Sequence, residues 1–354
     1  MRFVAKKLVL LALAAIWQIS CGGRTLGGND NTASADGTTS ADGSVVQSDG
    51  CTDNCAGEPV SLAYEPNTAV FVAVDSTHVY WSNFVGEVKK VSLAGGAVTL
   101  LYDGDLWVDS IALDSTYIYW NDSSAGILMK VPKAGGTALE VASGYAQFEG
   151  PVVLDTTHVY WIQNITSDSD KLLKAPLDGG APTVVSEVTD SINGFAIDAS
   201  HAYLLLRYSG TIVKVPLEGG ATEELVSGEV NPGVLAVDSY RLYWFGENGS
   251  VVKSAPLAGG APSLLAESEL VNLGNSSNAT LLSLAIDGTH LYWTSNGSAT
   301  GGDKIGTVSK VPLDGGSPTV LATVDDWPYD LAVDATHVYW TNFSTGGYLM
   351  KVPK

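Results

Sequence analysis

The stretch LAVDATHVYW, residues 331–340, decides the fold, because six other places in the chain repeat it. They read VAVDSTHVYW, IALDSTYIYW, VVLDTTHVYW, FAIDASHAYL, LAVDSYRLYW and LAIDGTHLYW, and they align on Asp75, Asp114, Asp155, Asp198, Asp238 and Asp287, with Asp334 in the seventh copy. The aligned Asp residues are 39, 41, 43, 40, 49 and 47 positions apart. A period of that length built from short apolar runs and turns is the signature of a propeller with four strands per blade. The run ending at Asp is the first strand, and the β-branched and aromatic VYW segment is the second. A KVPL-like segment, as at Lys310, Val311, Pro312 and Leu313, is the third. A Gly pair then predicts a tight hairpin needing positive φ before the fourth strand. The pair recurs at Gly95 and Gly96, Gly135 and Gly136, Gly179 and Gly180, Gly219 and Gly220, Gly259 and Gly260, and Gly315 and Gly316.

Six Gly pairs serve seven units because the last unit stops at Lys354, after its third strand. The stretch GEPVSLA at 57–63 matches GAPSLLA at 260–266, yet it stands ahead of the first unit. It is therefore expected to complete the last blade and remove the open seam that would expose two sheet edges. The expected fold is all-β: a seven-bladed β-propeller of four-stranded antiparallel blades over 57–354, closed by an N-terminal strand. Ala stands two positions before the aligned Asp in six units (Ala73, Ala112, Ala196, Ala236, Ala285 and Ala332) and Val153 in the other. Small residues suit innermost strands converging on an axis. The Trp column of Trp81, Trp120, Trp161, Trp244, Trp293 and Trp340, with Leu204 in its gap, suits the wider space between blades. Each ring there would contribute on the order of 4 to 6 kcal/mol of gross burial.

The VYW strand followed by an LDGG-type turn resembles the YWTD repeats of lipoprotein-receptor propellers. The VxVDxxxxVYW half is also similar to NHL-type and lyase-type bacterial propellers. The likeness runs repeat by repeat from Gly57 to Lys354, but YWTD domains have six blades and their Asp survives here only at Asp122. What it implies is a propeller resembling those of bacterial lipoproteins; fold does not imply function. A lyase of the streptogramin-inactivating type would need a non-repeating His at the mouth, and none stands there.

Ahead of the repeats, Arg2, Lys6 and Lys7 precede an apolar run at 8–16, too short to span a bilayer and suited to a signal peptide over 1–20. The run leads to Gln18, Ile19, Ser20 and Cys21, which resembles a bacterial lipobox. The resemblance implies lipidation of Cys21, a membrane anchor and an extracytoplasmic location at the outer membrane or cell surface. Gln18 departs from the usual Leu, so ordinary signal cleavage stays open. Residues 21–56 are dominated by Gly, Ser, Thr, Asn, Asp and Ala and form a tether with a reach of roughly 30 to 35 Å. Cys51 and Cys55, at its end, are expected to form a local disulfide.

The chain has 354 residues, 45% of them hydrophobic and only 16% charged, with 39 Gly and 14 Pro, an all-β profile with a large core. Its net charge of −20 becomes −23 once the three basic residues of the signal segment leave. Such a surface repels phosphate backbones and excludes nucleic acid as a partner. Cationic or neutral ligands fit better, and the ring is expected to be a monomer.

The five His, at 78, 158, 201, 290 and 337, share one column with Tyr117 and Arg241, so they read as turn supports rather than a metal cluster. The aligned Asp reads as a turn cap. Lys90, Lys130, Lys174, Lys214, Lys310 and Lys351 read as a solvated outer face. Function is sought in what breaks the repeat. Trp107 and Trp327 stand seven positions before their Asp, with Phe148 as the third-unit equivalent and Thr68 as the gap between. That loop opens on the mouth of the channel. Asp109 follows Trp107, Glu149 follows Phe148 and Asp330 follows Trp327. The candidate ligand-binding set is thus Trp107, Asp109, Phe148, Glu149, Trp327 and Asp330, suited to glycan, peptide, envelope protein or a cation. Insertions at 270–282 and 295–305 add two long loops. No GxSxG, HExxH or propeller CxxC motif offers catalysis. The enzymatic alternative is a metal-dependent hydrolase or lactonase with Asp109, Glu149, Asn193 and Asp330 as ligands. No cofactor is expected; calcium is the ion those carboxylates would suit.

Overall fold

The structure, a computed structural model, describes residues 57–104, 108–123, 125–144, 148–267, 280–298, 304–343 and 347–354, without the side chains of residues 148, 149, 280, 281, 298 and 304. The signal segment, Cys21 and the Cys51 and Cys55 pair lie outside the described residues. Twenty-eight strands make seven four-stranded antiparallel sheets. Blade one is β2–β5 (Ala69–Val74, His78–Asn83, Val88–Ser92, Thr99–Tyr102), and blade two is β6–β9 (Ile111–Leu113, Tyr117–Asp122, Ile127–Pro132, Leu139–Ser143). Blade three is β10–β13 (Phe148–Leu154, His158–Thr166, Ser169–Pro176, Thr183–Val188), and blade four is β14–β17 (Ile192–Ile197, His201–Leu206, Thr211–Pro216, Glu223–Val226). Blade five is β18–β21 (Gly233–Val237, Arg241–Gly246, Val251–Pro256, Ser263–Glu267), and blade six is β22–β25 (Thr280–Ile286, His290–Ser298, Lys304–Pro312, Thr319–Val324). Blade seven is β26–β28 (Pro328–Val333, His337–Asn342, Gly347–Pro353), completed by β1 (Val60–Glu65).

The closing strand sits where the repeat count requires it. β1 runs antiparallel to β28, with Val60 opposite Lys351 and Tyr64 opposite Tyr348. The innermost strands β2, β6, β10, β14, β18, β22 and β26 each touch the next, and β26 touches β2, so the ring is closed. The core lies between blades. Each of seven apolar clusters joins one blade to its neighbour, as Tyr80, Val88 and Leu101 of blade one do with Ile118, Trp120 and Val131 of blade two. All six column Trp residues and Leu204 are fully buried in these seams.

The turn after each innermost strand is built by its Asp. In blade three, Asp155 Oδ1 accepts the N–H groups of Thr157 (2.6 Å) and His158 (2.7 Å), while Tyr160 donates its hydroxyl to Oδ2 at 2.6 Å. The same hydroxyl bond recurs in every blade, from Tyr80, Tyr119, Tyr203, Tyr243, Tyr292 and Tyr339. Each His pairs its Nδ1 with the hydroxyl one residue before it, as His337 does with Thr336 at 2.7 Å, so the His column is part of this turn.

Two expectations need correction. The Gly pair is not a two-residue hairpin: in blade two residues 133–138 connect the strands, a β-turn closes with Gly135 N–H on the Pro132 carbonyl at 2.8 Å, and both Gly then adopt positive φ. Nor do Lys90, Lys130 and Lys351 of the Lys column form a solvated outer face. Lys90 donates to the Lys133 carbonyl (2.5 Å), Lys130 to that of Leu177, and Lys351 to that of Leu93 (2.7 Å), each across a seam to the next blade. The aliphatic stems lie along the seam, and the ammonium meets a carbonyl that strand pairing leaves over.

The seam at β1 carries an added lock. Glu65 is fully buried and accepts from Trp81 Nε1 (3.0 Å), Asn83 Nδ2 (3.2 Å), Asn67 N–H (3.0 Å) and Lys89 Nζ (3.0 Å). It ties the outer strand of blade seven to blade one. Glu229 repeats the device between blades four and five, through Trp244 and Lys253.

Candidate functional site

The loops that enter the innermost strands and those joining second to third strands lie at one end of the ring. Backbone bonds join them: Phe84 N–H to the Thr68 carbonyl, Arg207 to Ser191 and Phe343 to Trp327. Two columns at or just before the innermost strands stand next to that end. Four positions before the aligned Asp stand Phe71, Ser110, Pro151, Gly194, Val234, Ser283 and Asp330, and five before it stand Val70, Asp109, Gly150, Asn193, Gly233, Leu282 and Tyr329.

The first column has a structural task that explains part of its chemistry. An innermost strand has a free edge whose N–H groups face the axis. The preceding blade caps one of them: Ser110 Oγ accepts from Val152 N–H (3.0 Å), Ser283 Oγ from Leu331 N–H (3.3 Å) and Asp330 Oδ2 from Val72 N–H (2.9 Å). Ser283 also donates to Asp330 Oδ1 at 2.6 Å, so Asp330 links blades six, seven and one. Asp330 keeps part of its surface open although protein surrounds it, as a group on a narrow channel does. Burial pushes its carboxyl up to about 6 against the opposing pull of Ser283 and the Val72 and Leu331 amides, all three of them neutral donors.

Beside it, Tyr329 begins a chain of rings. Its centroid lies 5.9 Å from Phe71 and 5.0 Å from Phe343, and Phe343 lies 5.1 Å from Phe84. All four are half-buried. Burial raises the Tyr329 hydroxyl to about 12, helped by the negative charges of Asp330 and Asp109. Asp109 and Asp330 thus act on the same hydroxyl from blades two and seven. Asp109 is held by Ser123 N–H on Oδ2 (3.0 Å) and by its own N–H on the Asn121 carbonyl (3.1 Å).

The mouth is therefore asymmetric. Blades seven, one and two carry acids and rings, and blades three to five answer with Gly150, Pro151, Asn193, Gly194, Gly233 and Val234. Of the expected set, Asp109, Asp330 and Trp327 fall on the crowded side. Trp327 braces as well: its indole N–H donates to the Gly297 carbonyl of the blade-six hairpin at 3.3 Å. Trp107 and the side chains of Phe148 and Glu149 lie outside the described residues, as do most of the two long insertions. Asn193 donates to the Pro232 carbonyl at 2.5 Å and so serves the seam between blades four and five. Among the described residues no three His, Cys, Asp or Glu side chains gather as metal ligands.

Reading single loops for Trp missed Phe71, Tyr329, Phe84 and Phe343. A column signal existed for two of them. Nine positions after the aligned Asp, Phe84 and Phe343 share their place with Ser123, Asn164, Arg207, Glu247 and Asn296.

No protein-family model and no curated protein matches this sequence. Solved structures do match in fold. A catalytically inactive variant of virginiamycin B lyase from Staphylococcus aureus, crystallised with quinupristin, is 10% identical with a TM-score of 0.65, covering 84% of this chain and 98% of the other. YCF48 bound to D1 peptide is 11% identical with a TM-score of 0.60, covering 84% and 96%. The computationally designed Ika8 protein is 13% identical with a TM-score of 0.57, covering 83% and 98%. This chain is a β-propeller. At such identities the likeness is one of fold alone.

Proposed function

We propose that the chain is a non-catalytic binding module of the bacterial envelope, exported and lipidated at Cys21, which holds its propeller on the tether of residues 21–56 and takes its ligand in the mouth beside blades seven, one and two. One observation carries the reading. The side chains that repeat around the ring are spent on turns and seams, while half-buried rings and acids that do not repeat collect at one side of one end. Partly exposed aromatic surface beside a small-residue arc is what a ligand-binding mouth requires. Two propellers of the same fold were solved with ligands, a peptide and quinupristin, which agrees with a ligand-binding use of the scaffold.

The test is a peptide and glycan array probed with the mature protein and with a Phe84→Ser, Phe343→Ser double variant. Both residues follow strand ends rather than sit in strand interiors, so the ring should still form. Ligands bound by the parent should be lost by the variant. Unchanged array binding would overturn the assignment of the mouth, and calcium-dependent hydrolysis of a lactone or ester by the parent would overturn the non-catalytic reading. Globomycin-sensitive processing, with palmitate incorporation that Cys21→Ser abolishes, tests the anchor.

A further inference from the structure

The mouth has an unbalanced charge. In the four columns that stand four to seven positions before the aligned Asp, the acids are Asp109, Glu149 and Asp330 and no Lys, Arg or His occurs, while the column nine positions after it adds Arg207 and Glu247, in blades four and five. Some acids of the ring have a Lys partner, while others, such as Asp190, are held by backbone amides. Asp75 meets Lys133 at 3.0 Å, Asp287 meets Lys354 at 2.6 Å, and Glu65 meets Lys89 at 3.0 Å. Asp330, deeper than Asp75 and Asp287, belongs to the second kind: among the described residues Ser283 and backbone amides hold its carboxylate. Immediately beside it Tyr329 meets Phe71 edge-on at an interplanar angle of 67° and Phe343 at a tilt of 32°, and all three rings are half-buried.

We propose that the mouth is a receptor for an organic cation, an ammonium or guanidinium group such as a Lys or Arg side chain, whose charge sits between Asp330 and Asp109 and whose alkyl part lies on the rings of Tyr329, Phe71 and Phe343. This rests on the binding-module reading and names its ligand class. The chemistry is complementary on each count. A carboxylate in a channel gains most from an ion that brings its own charge, and ring faces attract cations. The acidic surface, with a formal net charge of −20, would draw cations toward the mouth.

Proton linkage supplies an independent readout. A bound cation holds Asp330 in its charged form, so binding between about pH 5 and pH 6.5 should release protons, and affinity should rise as pH rises through about 6. The groups that face Asp330 from neighbouring elements are Ser283 on β22, the Val72 amide on β2 and Thr341 on β27, none of which titrates in that range. Tyr329 and Asp109 are the other titratable groups nearby. Tyr329 stays protonated there, and its hydroxyl is pushed upward.

The experiment is calorimetric titration of the mature protein with acetyl-Gly-Lys-Gly-amide, with its norleucine counterpart of nearly the same shape but no charge, and with n-butylammonium. The lysyl peptide should bind at least tenfold more tightly than the norleucyl one. Asp330→Asn and Asp109→Asn should each weaken it at least tenfold. Asp109 lies outside any strand, so that variant decides the matter if Asp330→Asn fails to fold. Equal affinity for butylammonium and peptide would assign the site to small amines; tighter peptide binding would assign it to a protein or peptide segment. Equal binding of lysyl and norleucyl peptides, or no binding of either while neutral array ligands still need Phe84 and Phe343, would overturn the cation and leave the binding mouth standing. Loss of both results would remove the two together.

Discussion

Glu65→Ala should cost this propeller a large part of its stability, because one fully buried carboxylate serves four donors at the place where the ring closes. Alanine removes the acceptor for Trp81 Nε1, Asn83 Nδ2, the Asn67 amide and Lys89. Lys89 is not stranded, since Glu87 also holds it at 2.7 Å. Asn83 Nδ2 likewise keeps a bond to Glu87. That leaves two donors, Trp81 Nε1 and the Asn67 amide, each costing about 1 to 3 kcal/mol when buried unpaired, less what water entering the vacated space returns. The expected loss is about 3 to 5 kcal/mol, in line with removing one partner of a buried pair and large against the roughly 5 to 15 kcal/mol of a whole domain. Glu65→Gln keeps one acceptor oxygen and should lose about half as much. Glu218→Ala is the control, because that carboxylate pairs with Lys174 from an 89% exposed position and should matter by less than about 0.5 kcal/mol. Urea unfolding followed by tryptophan fluorescence measures all three. A Glu65→Ala loss below about 1 kcal/mol, or one equal to that of Glu218→Ala, would refute the view that this residue locks the seam.

Tyr160→Phe should cost about 1.5 to 3 kcal/mol by removing a hydroxyl bond to a charged Asp155, and Tyr292→Phe less, because Asp287 retains Lys354; parallel urea melts would show the difference. Asn121 is fully buried with both side-chain polar atoms unpaired, at a position where Thr294 and Thr341 donate to the next blade's carbonyls, so Asn121→Thr should stabilise by about 1 to 3 kcal/mol in the same assay. Six of the turn Asp carboxyls, at 75, 114, 155, 198, 287 and 334, are held below their ordinary value by the amide and hydroxyl bonds they accept, which outweigh burial. Their contribution is present above about pH 4 and is lost as pH falls through their folded values, so acid unfolding should set in below about pH 4. Asp330 acts with the opposite sign. Raised to about 6, it binds its proton more readily in the folded state and adds stability as pH falls from about 6 to 4, a small rise in urea midpoint that Asp330→Asn should abolish.

The scaffold was legible because a repeat states its own geometry. Seven aligned Asp residues, six Gly pairs and an orphan GEPVSLA segment specified blade number and closure before any contact was known, and β1 pairs with β28 as that count requires. The surroundings of the Lys column are not legible in sequence because a lone Lys in a strand looks solvated, and the carbonyls that Lys90 and Lys130 reach belong to the next blade, some 40 residues away. The mouth was half legible. Asp109, Trp327 and Asp330 break the repeat visibly, whereas Phe71 and Tyr329 sit inside apolar strands and read as core. The register shifts there, between Ala69 and Val72 in β2 and between Pro328 and Leu331 in β26, as it does at the same place in β10, β14, β18 and β22. A one-residue shift of that kind has no composition signal.

The seven Phe residues of the chain allow the central claim, that ligand enters beside blades seven, one and two, to be tested in one measurement. With fluorinated phenylalanine incorporated, Phe71, Phe84 and Phe343 report on the mouth, while Phe195 and Phe245, buried in seams of blades four and five, report on the scaffold. On titration with the lysyl peptide or with any ligand found on the array, the fluorine resonances of Phe71 and Phe343 should shift in a saturable way while those of Phe195 and Phe245 stay in place. Saturable shifts at Phe195 or Phe245 with none at Phe71 and Phe343 would contradict it.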